Sequence, residues 1–182
     1  MAKLHNHYEA AFEAYLRSRR LAYVAVDERR RAVEPAGTLK SVDYIVSPAD
    51  PHAPRWLVDV KGRRFPSGQR RPRYWRNWTS EEELDSLVEW ERRFGFGFES
   101  VLVFAYELVA DRAPTPPEEV YYWRGRPYAF VAVRAGDYRR AARRLSRRWR
   151  TVTVPAPEFR RLATPVAAAL AGEAALVGSL AD

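Results

Sequence analysis

The 182-residue chain has no cysteine. That excludes disulfide staples, thiolate-bound zinc, iron–sulfur clusters and a thiol nucleophile. No apolar run reaches the ~20 residues that span a bilayer, and the N-terminus has no apolar signal core. The expectation is a soluble, cytoplasmic protein with no membrane partner. Lysine is nearly missing too: among 31 basic residues only Lys3, Lys40 and Lys61 are not arginine. In a chain that uses arginine for generic positive charge, a lysine is a candidate for a task that needs a compact, movable ammonium.

What is present is basic and well supplied with core formers. With 23 acidic residues the formal net charge is +8 and the pI about 10.0, while 47% of residues are hydrophobic and 13% aromatic. A mainly disordered basic tail is therefore excluded. The length suits a single domain over residues 1–182.

Periodicity and end signals divide the chain. His5–Arg20 reads as a helix with Asn6 as N-cap, Leu21–Val26 as a strand and 27–40 as a loop. Ser41–Val46 and Trp56–Lys61 read as strands, the second closed by Gly62. Residues 62–78 form a basic, aromatic loop. A helix follows from Thr79–Ser80, with Ser80 and Glu83 spaced as a capping box, and ends at Gly95. Val101–Leu108 is a nearly continuous apolar strand, of the kind covered on both faces. After a Pro-rich linker at 113–117, Val120–Trp123 and Tyr128–Val133 suggest a hairpin around Gly125. Tyr138–Trp149 reads as a strongly basic helix, 151–154 as a short strand, and the Ala-rich tail from 164 as helical. The order α-β-β-β-α-β predicts an α/β fold with a mixed central sheet flanked by helices, extended by a C-terminal hairpin and basic helix.

The chemistry concentrates on two strands. Alternate side chains on a strand share a face, so Asp43 lies with Ser41 and Ile45, and Asp59 with Leu57 and Lys61. If the strands pair antiparallel, one register sets Ile45 against Leu57 and Asp43 against Asp59. Opposed carboxylates on a ladder are destabilising, and desolvation adds to the cost. A hard divalent cation removes that penalty, and oxygen ligands favour Mg2+ or Mn2+. Lys61, on the same face, is placed to orient a water or steady charge on a phosphate. The plainer alternative is a surface hairpin with an Asp–Lys ion pair of little energetic weight.

These residues resemble the PD-(D/E)xK nuclease superfamily, in its Holliday-junction-resolvase-like branch. Glu9 with Tyr15 and Leu16 resembles E-x(6)-L on the first helix. Ser41-Val42-Asp43 resembles G-E-I-D, and Val58-Asp59-Val60-Lys61-Gly62-Arg63 resembles V-E-V-K-x-R. The resemblance covers about residues 5–108, as a nuclease-like core with a C-terminal elaboration at about 118–182. It departs at Ser41, where the pattern has an acidic residue, at Asp59, where Glu is commoner, and at Asn6, where glycine is frequent. The resemblance implies a restriction-endonuclease-like core and a Mg-dependent endonuclease hydrolysing phosphodiester bonds in nucleic acid, with DNA favoured and a 5′-phosphate product. By position, Asp43, Asp59 and the Val60 carbonyl would be metal ligands and Lys61 the catalytic lysine. Glu9 would be an auxiliary ligand or water-positioning group, and Arg63 a phosphate contact. Many relatives pair as homodimers.

Other features have two readings each. Glu9 also falls at the reciprocal position of a capping box with Asn6, and Glu13 is the alternative acidic residue one turn on. His5-Asn6-His7 spells the name of a nuclease motif, but three adjacent residues cannot build that site. The loop carries Arg63, Arg64, Arg70, Arg71, Arg73 and Arg76 interleaved with Tyr74, Trp75 and Trp78. That composition suits phosphate contact with base stacking, or aromatics covering the core under solvated arginines. In the basic helix, Arg140, Arg144 and Arg147 belong to a cationic stripe opposite Tyr138, Ala142, Leu145 and Trp149, a surface for nucleic acid. A non-catalytic nucleic-acid-binding module on the same fold is the runner-up, and a protein that meets an acidic partner the third reading.

Overall fold

The computed structural model describes residues 6–27, 32–34 and 37–171. The expectations for His5 and for the tail beyond residue 171 lie outside the described residues.

Helix α1 (His7–Ser18) starts at Asn6, whose side chain accepts the Tyr8 N–H at 3.3 Å. It buries Ala11, Phe12, Tyr15 and Leu16, the expected stripe. Strand β1 (Tyr23–Ala25) follows, and then β2 (Ala32–Glu34) pairs with β3 (Gly37–Leu39) in the stretch expected to be loop. β4 (Tyr44–Val46) pairs antiparallel with β5 (Arg55–Phe65), with Ile45 opposite Leu57 as the register predicts. β5 does not stop at Gly62. It runs to Phe65 because its other edge pairs in parallel with β7 (Phe98–Leu108) along the whole length, Gly62 lying opposite Ala105. The basic loop therefore starts at residue 66.

Short β6 (Thr79–Ser80) leads into α2 (Glu81–Phe94). Ser80 and Glu83 form the expected capping box, and Gly95, at φ 74°, is the C-cap that a side chain would strain. β8 (Tyr121–Trp123) and β9 (Arg126–Arg134) make the expected hairpin. The main sheet runs β1-β4-β5-β7-β9-β12, with β8 beside β9 and β12 (Thr164–Pro165) at the far edge. β7 is interior, and its residues from Ser100 to Tyr106 are all buried. One face of the sheet packs on α1 and α5 (Val166–Leu170) through Phe12, Leu16, Val58, Val103 and Phe130. The other packs on α2, α3 (Ala135–Ala141) and α4 (Ala156–Leu162) through Leu57, Leu87, Phe104, Tyr138 and Phe159.

The basic helix expected over 138–149 ends at Ala141. Ala142 is extended at ψ 142°, and the chain turns into β10 (Arg143–Ser146), which pairs with β11 (Thr151–Thr153) and through it with β6. A continued helix would stack arginines at i and i+4 through Arg139/Arg143, Arg140/Arg144 and Arg143/Arg147, and such like-charge pairs are destabilising. The hairpin separates them and meets acids on neighbouring helices. Arg139 pairs with Asp85, Arg143 with Glu158, and Arg144 and Arg150 both with Glu81 at 3.3 Å. Leu145 and Trp149, assigned above to the apolar stripe with Tyr138, are exposed, while Tyr138 is buried.

Candidate active site

Along β5, Trp56, Val58 and Val60 point to the α1 side, so Leu57, Asp59 and Lys61 point to the α2 side. The regular β4–β5 ladder ends at Tyr44. In an unbroken register Val42 would stand opposite Val60. Instead the Asp43 N–H donates to Val58 O at 2.8 Å, and the Asp43 carboxylate takes the Val60 N–H at 2.6 Å. A side chain has replaced the next ladder partner, so the expected strand Ser41–Val46 is shortened to Tyr44–Val46. A cleft of about 270 Å³ opens there, lined by Glu9, Lys40, Asp43, Asp59, Lys61 and Glu83 among others. A residue's N–H and C=O leave a strand on the same edge, so the Val60 carbonyl faces this opening as well.

The charges are tightly arranged. The Lys61 ammonium is 2.7 Å from Asp59 Oδ2 and 3.2 Å from Glu83 Oε1. Lys40 reaches the same Glu83 oxygen at 3.6 Å and Glu82 at 3.7 Å. Among the described residues Asp59 Oδ2 has no hydrogen-bond donor besides the Lys61 ammonium. Burial, followed by the Asp59 and Glu9 charges, pushes the Asp43 carboxyl well above the usual carboxylate range against the pull of the Val60 N–H. Burial also raises Asp59, with Lys61 opposing. Burial pulls the Lys61 ammonium down, but Asp59 and Glu83 outweigh it and hold its pKa above the usual lysine value. Glu83 is pushed up by burial, yet Lys61, the Ser80 donors and Lys40 bring it to about 2.

Lys40 and Glu83 were not among the residues singled out for chemistry. Lys40 is fixed from α2: Trp90 Nε1 donates to its carbonyl at 2.7 Å, and its N–H donates to Ser86 Oγ at 3.2 Å. The rarity of lysine was the signal for it. Glu83 hid behind its capping role, which it performs with one oxygen while the other meets both lysines. Glu9 lines the cleft, and in the N-cap bond the Tyr8 N–H donates to Asn6 Oδ1. Glu13 is elsewhere, accepting from Arg17 at 2.6 Å and from the Tyr23 hydroxyl at 2.9 Å. His7 Nδ1 lies 2.9 Å from the Tyr128 hydroxyl.

Asp43, just before β4, and Asp59 and the Val60 carbonyl on β5 offer hard oxygen donors, and two carboxylates lining one cleft suit a divalent cation. Among the described residues no group of three His, Asp or Glu side chains forms a complete ligand set. Such a cation would therefore need the backbone carbonyl and other oxygens.

The basic residues divide into fixed and exposed groups. Arg63 is turned inward: it donates to Gly62 O at 2.6 Å and to Trp78 O, and its guanidinium lies 4.1 Å from the Trp78 ring centroid. Burial lowers its pKa. Arg64, Arg70, Arg71, Arg73 and Arg76 are exposed. Trp75 packs against Phe65, Tyr106 and Phe159, so one of the loop's two indoles covers the core. Arg140 pairs with Asp137, Arg144 with Glu81, and Arg147 is exposed at the hairpin tip.

No family model matches the sequence, and no curated protein matches it. The fold is similar to that of Hjc, a Holliday junction resolvase from the archaeal hyperthermophile Archaeoglobus fulgidus. The TM-score is 0.52 and the identity 16%, over 90% of this chain and 98% of that one. Among the described residues no helix is long and apolar enough to cross a membrane.

Proposed function

We propose that this chain is a metal-dependent endonuclease that hydrolyses phosphodiester bonds in nucleic acid, with DNA as the expected polymer. The observation that carries the reading is the convergence of Glu9, Asp43, Asp59 and Lys61 on one cleft at the broken end of the β4–β5 ladder. Asp43, Asp59 and the Val60 carbonyl would hold Mg2+ or Mn2+. When bound, that ion supplies Lewis acidity and lowers the pKa of a coordinated water.

The chain's own groups account for the rest. Lys61 is charged at neutral pH, and its ammonium would move from Asp59 and Glu83 onto a phosphate oxygen as negative charge builds there. Glu9 would orient the attacking water by accepting its hydrogen bond. Arg64, near the end of β5, and Arg70, Arg71, Arg73 and Arg76, on the exposed segment after it, would track the phosphate backbone. Arg63 would act indirectly, by holding the start of that segment to Trp78.

One observation favours the non-catalytic nucleic-acid-binding module: two carboxylates already neutralise Lys61. Incubation with labelled DNA in Mg2+ or in EDTA separates the two readings. A nuclease cuts in Mg2+ and not in EDTA, and Asp59→Asn or Lys61→Ala lowers the cutting rate at least ~100-fold with unchanged circular dichroism. Salt-sensitive binding without cutting under any of these conditions leaves the module.

A further inference from the structure

The β10–β11 hairpin presents an indole that the core does not claim. Its tip is a tight turn: Trp149 N–H donates to Ser146 Oγ at 3.2 Å, Arg150 N–H to Arg147 O at 3.3 Å, and Arg150 has φ 45°. That turn leaves Trp149 70% exposed, with Leu145 54% exposed at the bulge between Arg144 and Ser146. The Arg148 guanidinium lies 5.1 Å from the Trp149 ring centroid, and Arg147, its neighbour in the turn, is exposed. Scattered exposed apolar residues need no explanation. An indole held up on a braced turn beside the exposed Arg147 and Arg148 is a different case.

The brace also ties the hairpin to the start of α2. β11 pairs with β6, the Glu81 N–H donates to Arg150 O at 2.8 Å, and the Glu81 carboxylate meets both Arg144 and Arg150. Two residues further along α2, Glu83 meets Lys61. The hairpin and the cleft are thus attached to the same helical turn.

We propose that this tip is a base-stacking finger, with Trp149 stacking on an unpaired base and Arg147 and Arg148 holding the flanking phosphates. The inference rests on the nucleic-acid reading above and deepens it by naming the substrate class: nucleic acid with unpaired bases. In an uninterrupted duplex the base faces are already stacked, so an indole has no face to meet. Charge complementarity selects a polyanion, and the exposed ring selects one that carries aromatic faces.

The test is binding of the full chain, in EDTA, to one dye-labelled sequence offered as single strand, blunt duplex and forked duplex. Trp149→Ala is expected to weaken the single strand and the fork about tenfold and to leave the blunt duplex within about twofold. Trp149→Phe restores most of the affinity. The slope of affinity against salt is unchanged by Trp149→Ala and falls by about one for Arg147→Ala or Arg148→Ala. Circular dichroism and thermal midpoint report that each variant is folded. Equal losses on all three nucleic acids, no loss on any, or a Trp149-dependent interaction with polyglutamate alone would overturn the finger. Failure to cut in Mg2+ with this binding pattern intact rejects only the hydrolytic reading. Cutting with the pattern absent rejects only the finger.

Discussion

Lys61 on β5 and Glu83 in the first turn of α2 form an ion pair at 3.2 Å, joining the central sheet to the N-terminus of the helix that covers it. The same Glu83 caps that helix through Ser80. A capping residue and a candidate catalytic lysine are therefore one electrostatic unit, and its pH behaviour follows. Glu83 is held at about 2 against an ordinary 4.5. A carboxyl with a depressed native pKa contributes stability that is complete above its unfolded value and lost as pH falls through its folded one. Glu83→Gln is expected to cost about 1–3 kcal/mol at pH 7. The difference from wild type should shrink below about pH 4.5 and vanish near pH 2. Urea denaturation of both proteins across that range checks it, and a constant difference would refute it.

Asp43 has the opposite sign. Burial and the Asp59 charge disfavour its ionised form, so at neutral pH the carboxylate works against the fold. Asp43→Asn keeps an acceptor for the Val60 N–H and removes the charge. In EDTA the variant is expected to melt higher than wild type by about 2–4 °C for each kcal/mol relieved. Mg2+ should raise the melting temperature of wild type and not of the variant. Calorimetry in EDTA and in Mg2+ reads both outcomes, independently of cutting.

Gly62 is a matter of space. A Cβ there would lie 2.0 Å from Tyr8 Cδ2 and 2.3 Å from Tyr8 Cγ, so the ring in the first turn of α1 rests directly on the β5 backbone. Gly62→Ala is expected to cost about 1–3 kcal/mol as an overpacked contact. Because Tyr8 adjoins Glu9, the displacement should also lower activity. Combining Gly62→Ala with Tyr8→Ala should recover part of the stability, and a double variant no better than Gly62→Ala would reject the contact.

Asn77 ties the basic loop to the C-terminal half. Its buried amide donates to Trp75 O and Val154 O at 2.9 Å each and accepts from Val154 N–H at 2.8 Å and Thr153 Oγ1 at 3.0 Å. The Tyr138 hydroxyl donates to its carbonyl at 2.5 Å. Asn77→Ala strands several buried groups and is expected to cost about 2–4 kcal/mol. Hydrogen exchange should accelerate in 66–78 and 151–154 together. Acceleration in one segment alone would refute the link.

Local signals were readable where one strong preference acted alone. The α1 stripe, the Ser80–Glu83 box and the Gly125 hairpin each follow from spacing along a few residues. The Ile45–Leu57 register was readable as one of those that put like faces together. The strand through Gly62 was not, since glycine is a stop signal unless a long parallel neighbour such as β7 holds it. The basic hairpin was not readable either. Local propensity over 138–149 is helical, and the repulsion and distant acids that defeat it come from residues as far along the sequence as Glu81.

What the sequence determined by itself is the chemistry available: no thiol, three lysines, and an acid in or beside each of two strands. Alternation of faces along a strand is a property of the backbone and needs no distant partner. What only the tertiary structure decided is which of these groups share a cleft. Lys40 and Glu83 lie more than forty positions apart in the chain and meet across 3.6 Å. Trp149 turns outward and Trp75 inward. These outcomes depend on burial, and burial is set by what the rest of the chain packs against each residue.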